Sequence, residues 1–507
     1  MDKEPVKSKQ SKLSNLYTES PHQEDKIPSE DKYEGAIVFS AIGDALGWPT
    51  EFLQSNLRAA RFELPINDFV AWEKKVGGRW WAYRDQINPG EYSDDTQLTL
   101  AIVRSISNEG DLEPDRFAYQ ELPLWLHYER GGGHSIKQAA KSLLMLKSNW
   151  LNNFSEEYRN AGANGAAMRN LPIALSHVSN KEKLISDSFL NAVITHGHPR
   201  AILGAILFGL SVQYILNAID SPRPTIISYL LNNMDYINKV ISLQPRIMNW
   251  SKNWGYIGPN DNGSFGYHFR LAEEEISKYF KSISKMQQKR DEDYYRLIGA
   301  LNPSTKGSGL STLSAAIYMY IKHGEDPKEA ILRAVNLIGS DTDTIALFLG
   351  AMLGAEHGIS AVPNYLREQI QDKEYLLRTA RRLHAIVSHD LTKQSAIKQP
   401  LSRREAYLRI IGWEIGLHEM FWDELDKGAT VDHPTLGRGV IINKEILKVE
   451  KEGYIARLIR VKFDCGQTCI FHSRVKGSYS VSNNLAPQLK ETLDEYNKLS
   501  SLSTYSI

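Results

Sequence analysis

Cysteine is scarce in this chain of 507 residues, which has only Cys465 and Cys469. That excludes a disulfide framework and a zinc site built from four cysteines, and it fits a reducing, cytoplasmic setting. A surplus of charge is also lacking. Lys plus Arg and Asp plus Glu number 60 each, so there is no bulk attraction to nucleic acid or to a membrane surface. The N-terminal stretch lacks the apolar segment of a secretory signal, and residues 1–32 are expected to form a flexible tail. No repeat of fixed period occurs. Only one apolar run outside the Asp341 region, residues 201–219, is long enough to suggest a membrane span. Ser211, Gln213 and Asn217 interrupt it, which points to a buried central helix and no membrane partner.

What is present is ample core material: 42% of residues are hydrophobic and 24% charged, enough for more than one domain. From Tyr33 to Ser388 apolar residues recur at three and four spacing, as in GAIVFSAIGDALG and KEAILRAVNLIG. The pattern predicts a mainly all-α protein, with a large orthogonal helical bundle over 33–395. The stretch NWSKNWGYIGPNDNGSFG, residues 249–266, reads as a long loop. A linker near 390–400 leads into a helix, the two together spanning 396–426. Short alternating runs broken by glycine then predict a small all-β barrel or curled sheet over 427–484. A short helix and polar tail are expected over 485–507.

Chemistry concentrates in two places. NLIGSDTDTIALFLGAMLGAEHG opens an apolar helix with Ser340, Asp341, Thr342, Asp343 and Thr344, more oxygen than a helix cap can use. Asp341 and Asp343 would repel unless a cation sat between them. NPGEYSDDTQLTLAIVRSI repeats the pattern with Ser93, Asp94, Asp95 and Thr96. Carboxylates and hydroxyls without His or Cys are hard ligands, which select Mg²⁺, Mn²⁺ or Ca²⁺. The plain alternative is two well-capped helices.

Other stretches carry weaker signals. In SAIGDALGWPTEFL, Gly43, Ala45 and Gly47 permit close helix approach and Glu51 follows at a helix end, where a solvated charge is the ordinary reading. GANGAAMRNLPIALSH offers small residues and Arg169, suited to an oxyanion or to a tight turn with a structural arginine; it is not a Walker loop. Thr195, His196 and His198 precede the helix expected near Pro199, where a histidine either reaches a ligand or caps. ERGGGHS reads as a flexible loop.

Taken in order, GDALGWPTEF, PGEYSDDTQLTLAI, GANGAAMRNLPIAL, ITHGHPRAILGAI, LSAAIYMYIKHG and GSDTDTIALFLGAMLGA resemble the ADP-ribosylglycohydrolase family. The resemblance implies an all-helical fold, two Mg²⁺ or Mn²⁺ ions, and cleavage at the ribose C1″ to free ADP-ribose from a modified protein or nucleic acid. Carried over by residue, it makes Ser93, Asp94, Asp95, Asp341, Asp343 and Thr344 metal ligands. Glu51, with Asp95 and Asp341, becomes catalytic. Asn164, Gly165, Met168 and Arg169 line the ADP-ribose cleft, and His196 stands on the ribose side. Ser93 replaces a usual Thr and Ser340 a common Gly, and neither change removes a carboxylate. A non-catalytic ADP-ribose reader, or a steric blocker of an ADP-ribosyltransferase, is the second reading. The full carboxylate set favours the enzyme.

VDHPTLGRGVI and VKFDCGQTCIF lie beyond that match and resemble small Tudor-like or SH3-like barrels. With Arg438, Lys444, Lys448, Lys451, Arg457, Arg460 and Lys462 they suggest docking to a protein or nucleic-acid partner. A module that only packs on the helices is the alternative.

Overall fold

The first helix, Glu30–Glu51, starts with Glu30 and Asp31 in its opening turn, where negative charge suits the helix dipole. It pairs antiparallel with the helix Thr342–His357, and small residues set the distance between them. A Cβ at Gly43 would fall 2.2 Å from the carbonyl oxygen of Ala346, and one at Gly47 would fall 2.4 Å from that of Thr342. Only glycine permits such backbone contact. The Thr342 hydroxyl donates to the Gly47 carbonyl at 2.8 Å, and Thr50 donates to the Val335 carbonyl at 2.7 Å. The end of one helix and the start of the other are thereby locked together.

The computed structural model describes residues 27–53, 62–77, 82–145, 149–255, 263–390, 401–415 and 425–476. The expected tail before residue 27, nearly all of the expected linker, and the expected C-terminal helix lie outside them. Helices dominate from Glu30 to Val387. The apolar run forms the helix Pro199–Asn217, with 89% of its most apolar window buried inside the protein. It packs against Lys181–Val193, Gly309–His323 and Thr342–His357. It is therefore the central helix expected from its interrupted hydropathy.

Two departures have physical causes. Strands β1 (Trp72–Val76) and β2 (Tyr83–Ile87) form an antiparallel hairpin inside the helical region. In β2 burial alternates, with Tyr83, Asp85 and Ile87 inward and Arg84 and Gln86 exposed, the period of a half-buried sheet. The expected loop at 249–266 begins instead within the helix Pro245–Asn253, while residues 256–262 lie outside the described set. Proline at the first helical position and Trp250, packed edge-on against Phe189 and Phe265, hold that helix.

After the helix Arg403–Ile415 come β3 (Thr430–His433), β4 (Gly437–Lys448), β5 (Tyr454–Phe463) and β6 (Thr468–Lys476). They form one antiparallel sheet in the order β3-β4-β5-β6. Among the described residues β3 and β6 are its edges, so what is described of the expected barrel or curled sheet is a four-stranded antiparallel sheet. The sheet adds Val431, Ile441, Ile459, Val461, Phe463 and Phe471 to the apolar core of the helices. A second cluster joins Tyr83 and Val76 of the hairpin to Val449, Leu447, Ala456, Leu458 and Ile470. Two of the basic residues expected to face a partner pair within the chain, Arg460 with Glu91 and Lys462 with Asp372.

Candidate active site

The turn carrying the first aspartates is held from three sides. Ser93 caps the helix Asp94–Arg104 by accepting from the Asp95 amide at 3.1 Å. Asp44, fully buried in the first helix, accepts from the amides of Ser93 and Thr96 and, at 2.6 Å, from the Thr96 hydroxyl. The Asp94 amide donates to the Arg130 carbonyl at 3.2 Å. These bonds use the free donors of the helix's first turn and leave the side chains of Asp94 and Asp95 for other work.

The second cluster arrives with the glycine-matched helix pair. Asp341 precedes the first turn of Thr342–His357 and Asp343 lies in it, where its Oδ1 accepts from the Thr344 amide at 2.8 Å. Because the pair is antiparallel, Glu51 at the end of its partner meets them. One carboxylate oxygen from each of Glu51, Asp341 and Asp343 lies within 4.8 Å of the others. Asn164 donates to Asp341 and, at 3.1 Å, to Thr312.

All the residues expected at the site line one cleft of about 150 Å³ except Ser93 and Arg169. Ser93 is used as a cap behind the wall. Arg169 is fully buried and does not face the cleft. Its guanidinium donates to Asn191 Oδ1 and to the carbonyls of Gly165 and Asn191, and to the Thr195 hydroxyl at 2.8 Å. Burial lowers its pKa to about 9. It therefore fixes the Gly165 loop rather than meeting phosphate. The Thr195 hydroxyl, accepting from Arg169, lies 2.7 Å from His196 Nδ1. Where the hydroxyl donates to Nδ1, the ring proton of His196 sits on Nε2, which is then a donor. Burial and then the Arg169 charge lower the pKa of His196 to about 3. His198 caps the next helix, accepting from the Arg200 amide at 3.1 Å.

The electrostatics are those of a site short of positive charge. Burial, then the Asp343 charge, raises Asp341 to about 8 and Asp44 to about 6. Burial pushes Asp94 and Asp95 well above the usual carboxylate range, with neighbouring acids adding to it. Glu51 keeps part of its surface open, yet burial of its carboxyl, followed by the charges of Asp343 and Asp341, raises it well above its ordinary value. Asp95 Oδ2 is buried with no hydrogen-bond partner. Orphaned carboxylate oxygen among like charges is costly unless a cation supplies the missing interaction. The donor set therefore fits a hard divalent ion.

Three features were not drawn from the sequence. The Gly131–Gly133 loop and the start of the helix His134–Leu144, given no chemistry there, contribute Gly131, Gly133, His134 and Ser135 to the cleft. Asp44 organises the first turn, and its signal was a lone charge within the small and apolar stretch from Gly35 to Thr50. Lys74, on the unforeseen hairpin, places Nζ 4.7 Å from the Trp48 ring centre and 4.8 Å from that of Phe52. It is the second-largest influence on Asp94, acting to lower its pKa against burial.

Similarity to known proteins agrees with this geometry. The family model described as ADP-ribosylglycohydrolase matches residues 25–392. An ADP-ribosylarginine hydrolase from Serratia proteamaculans is 24% identical over 362 residues, covering 70% of this chain and 79% of that protein. The ADP-ribosyl-[dinitrogen reductase] glycohydrolase of Rhodospirillum rubrum is 30% identical over 187 residues, 37% of this chain and 58% of its own length. The ADP-ribosylhydrolase ARH3 of Mus musculus is 26% identical over 315 residues, 58% of this chain and 77% of that protein. With its carboxylates gathered on one cleft and a match over most of its length, the chain belongs to the ADP-ribosylglycohydrolase family of hydrolases.

Proposed function

We propose that this protein removes ADP-ribose from a modified protein or nucleic acid by hydrolysis at the ribose C1″, with two Mg²⁺ or Mn²⁺ ions bound. The observation that carries the reading is the convergence of Glu51, Asp94, Asp95, Asp341 and Asp343 on one cleft, with Asp95 Oδ2 orphaned. Three relatives named for hydrolysis of ADP-ribosylated groups support the same substrate class.

Asp94 and Asp95 on one side, and Asp341, Asp343 and Thr344 on the other, would hold the ions. Bound there, divalent cations offset the clustered negative charge and polarise a water or a sugar hydroxyl. Glu51, the partly exposed acid with a raised pKa, is the group suited to hold and release a proton. Asn164 fixes the Asp341 carboxylate. Neutral His196 offers Nε2–H to an oxygen of the ribose, its orientation set through Thr195 by Arg169. A second depression of about 170 Å³ shares Ser135 with the cleft and extends past Gln138 and Asn153, giving the rest of ADP-ribose a polar floor.

The test is release of free ADP-ribose from substrates modified on arginine, on serine and on DNA, with Mg²⁺, with Mn²⁺ and with chelator. Metal-dependent release from one of them is expected. Loss of cation charge stabilisation is worth several kcal/mol, so Asp341→Ala and Asp343→Ala should each lower turnover by roughly a hundredfold or more. Near wild-type turnover in either variant at saturating metal would overturn the assignment. No release from any substrate, together with ADP-ribose binding, would favour the reader or blocker.

A further inference from the structure

The family match ends at residue 392, and the four-stranded sheet follows it. Its polar ties nevertheless converge on the helix that bears two of the acids. Glu91, 5% exposed, accepts from Arg130 at 2.5 Å and from Arg460 on β5. The next residue, Tyr92, is 1% exposed and donates to Asp372 Oδ2 at 3.0 Å. Asp372 in turn accepts from the amide and hydroxyl of Thr468 on β6 and from Lys462 on β5, each at 2.7 Å. Both residues directly before Ser93 are thus fixed through groups that the sheet holds. At the far end of the same helix, Arg104 donates to the side-chain oxygen of Gln467, between β5 and β6, at 2.7 Å.

The helix Asp94–Arg104 is therefore gripped at both ends by one sheet. Between the grips, Arg130 couples the charge network to the turn itself: its guanidinium binds Glu91 and Asp85 while its carbonyl accepts from the Asp94 amide. Buried charge-assisted bonds of this kind hold a geometry more firmly than neutral ones. A sheet whose role was only to cover apolar surface would need none of them.

We propose that the C-terminal sheet is a positioning clamp for the Asp94–Arg104 helix, so that the cation affinity and turnover of this chain depend on Arg460, Thr468 and Gln467. The proposal rests on the metal-dependent hydrolase reading for its effect on turnover, but the clamp itself does not.

The experiment compares wild type with Arg460→Met, Arg460→Lys and Arg378→Met in the full chain. Arg378 also bonds to the sheet, at the Cys465 carbonyl, without touching the 91–95 turn. Mn²⁺ binding is titrated by electron paramagnetic resonance, and amide hydrogen exchange is followed over residues 91–97 and, as reference, over the central helix. Outer-shell partners typically govern metal affinity by about 10–100-fold. Arg460→Met should weaken Mn²⁺ binding by about tenfold or more and speed exchange in the turn by a similar factor, with the central helix unchanged. Arg460→Lys should recover most of both, and Arg378→Met should alter neither. Wild-type Mn²⁺ affinity and exchange in Arg460→Met would overturn the clamp, as would equal losses in Arg378→Met. If wild type binds no Mn²⁺, the hydrolase reading fails and the exchange comparison alone decides the clamp.

Discussion

Asp44 shows how a single buried charge can organise a site it does not enter. It accepts from the amides of Ser93 and Thr96 and from the Thr96 hydroxyl. Replacing it by alanine would strand those buried donors, at about 1–3 kcal/mol for each left unsatisfied. Asp44→Asn is the gentler change, keeping the shape while turning a pure acceptor into a group that also donates. Asp44→Asn is expected to weaken Mn²⁺ binding about tenfold, with a smaller loss of thermal stability than Asp44→Ala. Unaltered affinity in Asp44→Asn would reduce Asp44 to an ordinary cap. Arg169 teaches the converse lesson. A guanidinium beside small residues reads as an anion site, yet it is used up on Asn191, Gly165 and Thr195, and nothing local in the sequence announces those distant partners.

At the scale of elements, the paired helices Glu30–Glu51 and Thr342–His357 decide whether the acids meet at all. The Cβ added by Gly47→Ala would lie 2.4 Å from the Thr342 carbonyl oxygen and 2.6 Å from Asp343 Cα. Backbone cannot rotate away as a side chain can, so the helices must separate. Overpacking of this kind costs about 1–3 kcal/mol, and here it should also reduce ADP-ribose release, because the displaced atoms belong to Asp343. A calorimetric scan beside an activity assay would show both; a loss of stability with full turnover would mean that the acids tolerate the shift. The helices, their small-residue faces and both acidic starts were legible because each is a local pattern. The hairpin was not, since its ten strand residues sit between helical patterns and a charged residue, Lys74 or Asp85, interrupts the face that carries each strand's apolar residues. The sheet's strands were legible and its packing on the helices was not. Alternation predicts a wet and a dry face, and what covers the dry face is a tertiary fact.

Across the whole molecule, two sets of carboxylates pull stability in opposite directions as pH changes. Burial raises Glu91, but the charges of Arg130 and Arg460 outweigh it and lower its pKa from 4.5 to about 2. The stabilisation from that network is therefore complete above 4.5 and is lost as pH falls toward 2. The acids in and behind the cleft behave oppositely. Asp341 is raised from 3.8 to about 8 and Asp44 from 3.8 to about 6, so the cation-free fold holds protons there that the unfolded chain has released. Their contribution is complete below 3.8 and is lost as pH rises toward 8. With chelator present, the melting temperature should thus be highest near pH ~4 and should fall steadily toward pH ~8. Cations reverse the second half of that curve, because deprotonated carboxylates are the ones that bind. Mg²⁺ or Mn²⁺ at a hundredfold excess over Kd adds about 2.7 kcal/mol. The gain should be largest near about pH 8, where protons no longer compete, and nearly absent near about pH 5. Differential scanning calorimetry at both pH values, with and without the ion, measures the four melting temperatures needed. Equal gains at the two pH values would mean that the ion binds elsewhere than among the raised carboxylates. A gain confined to the higher pH would locate the linked protons and cations in the same cleft.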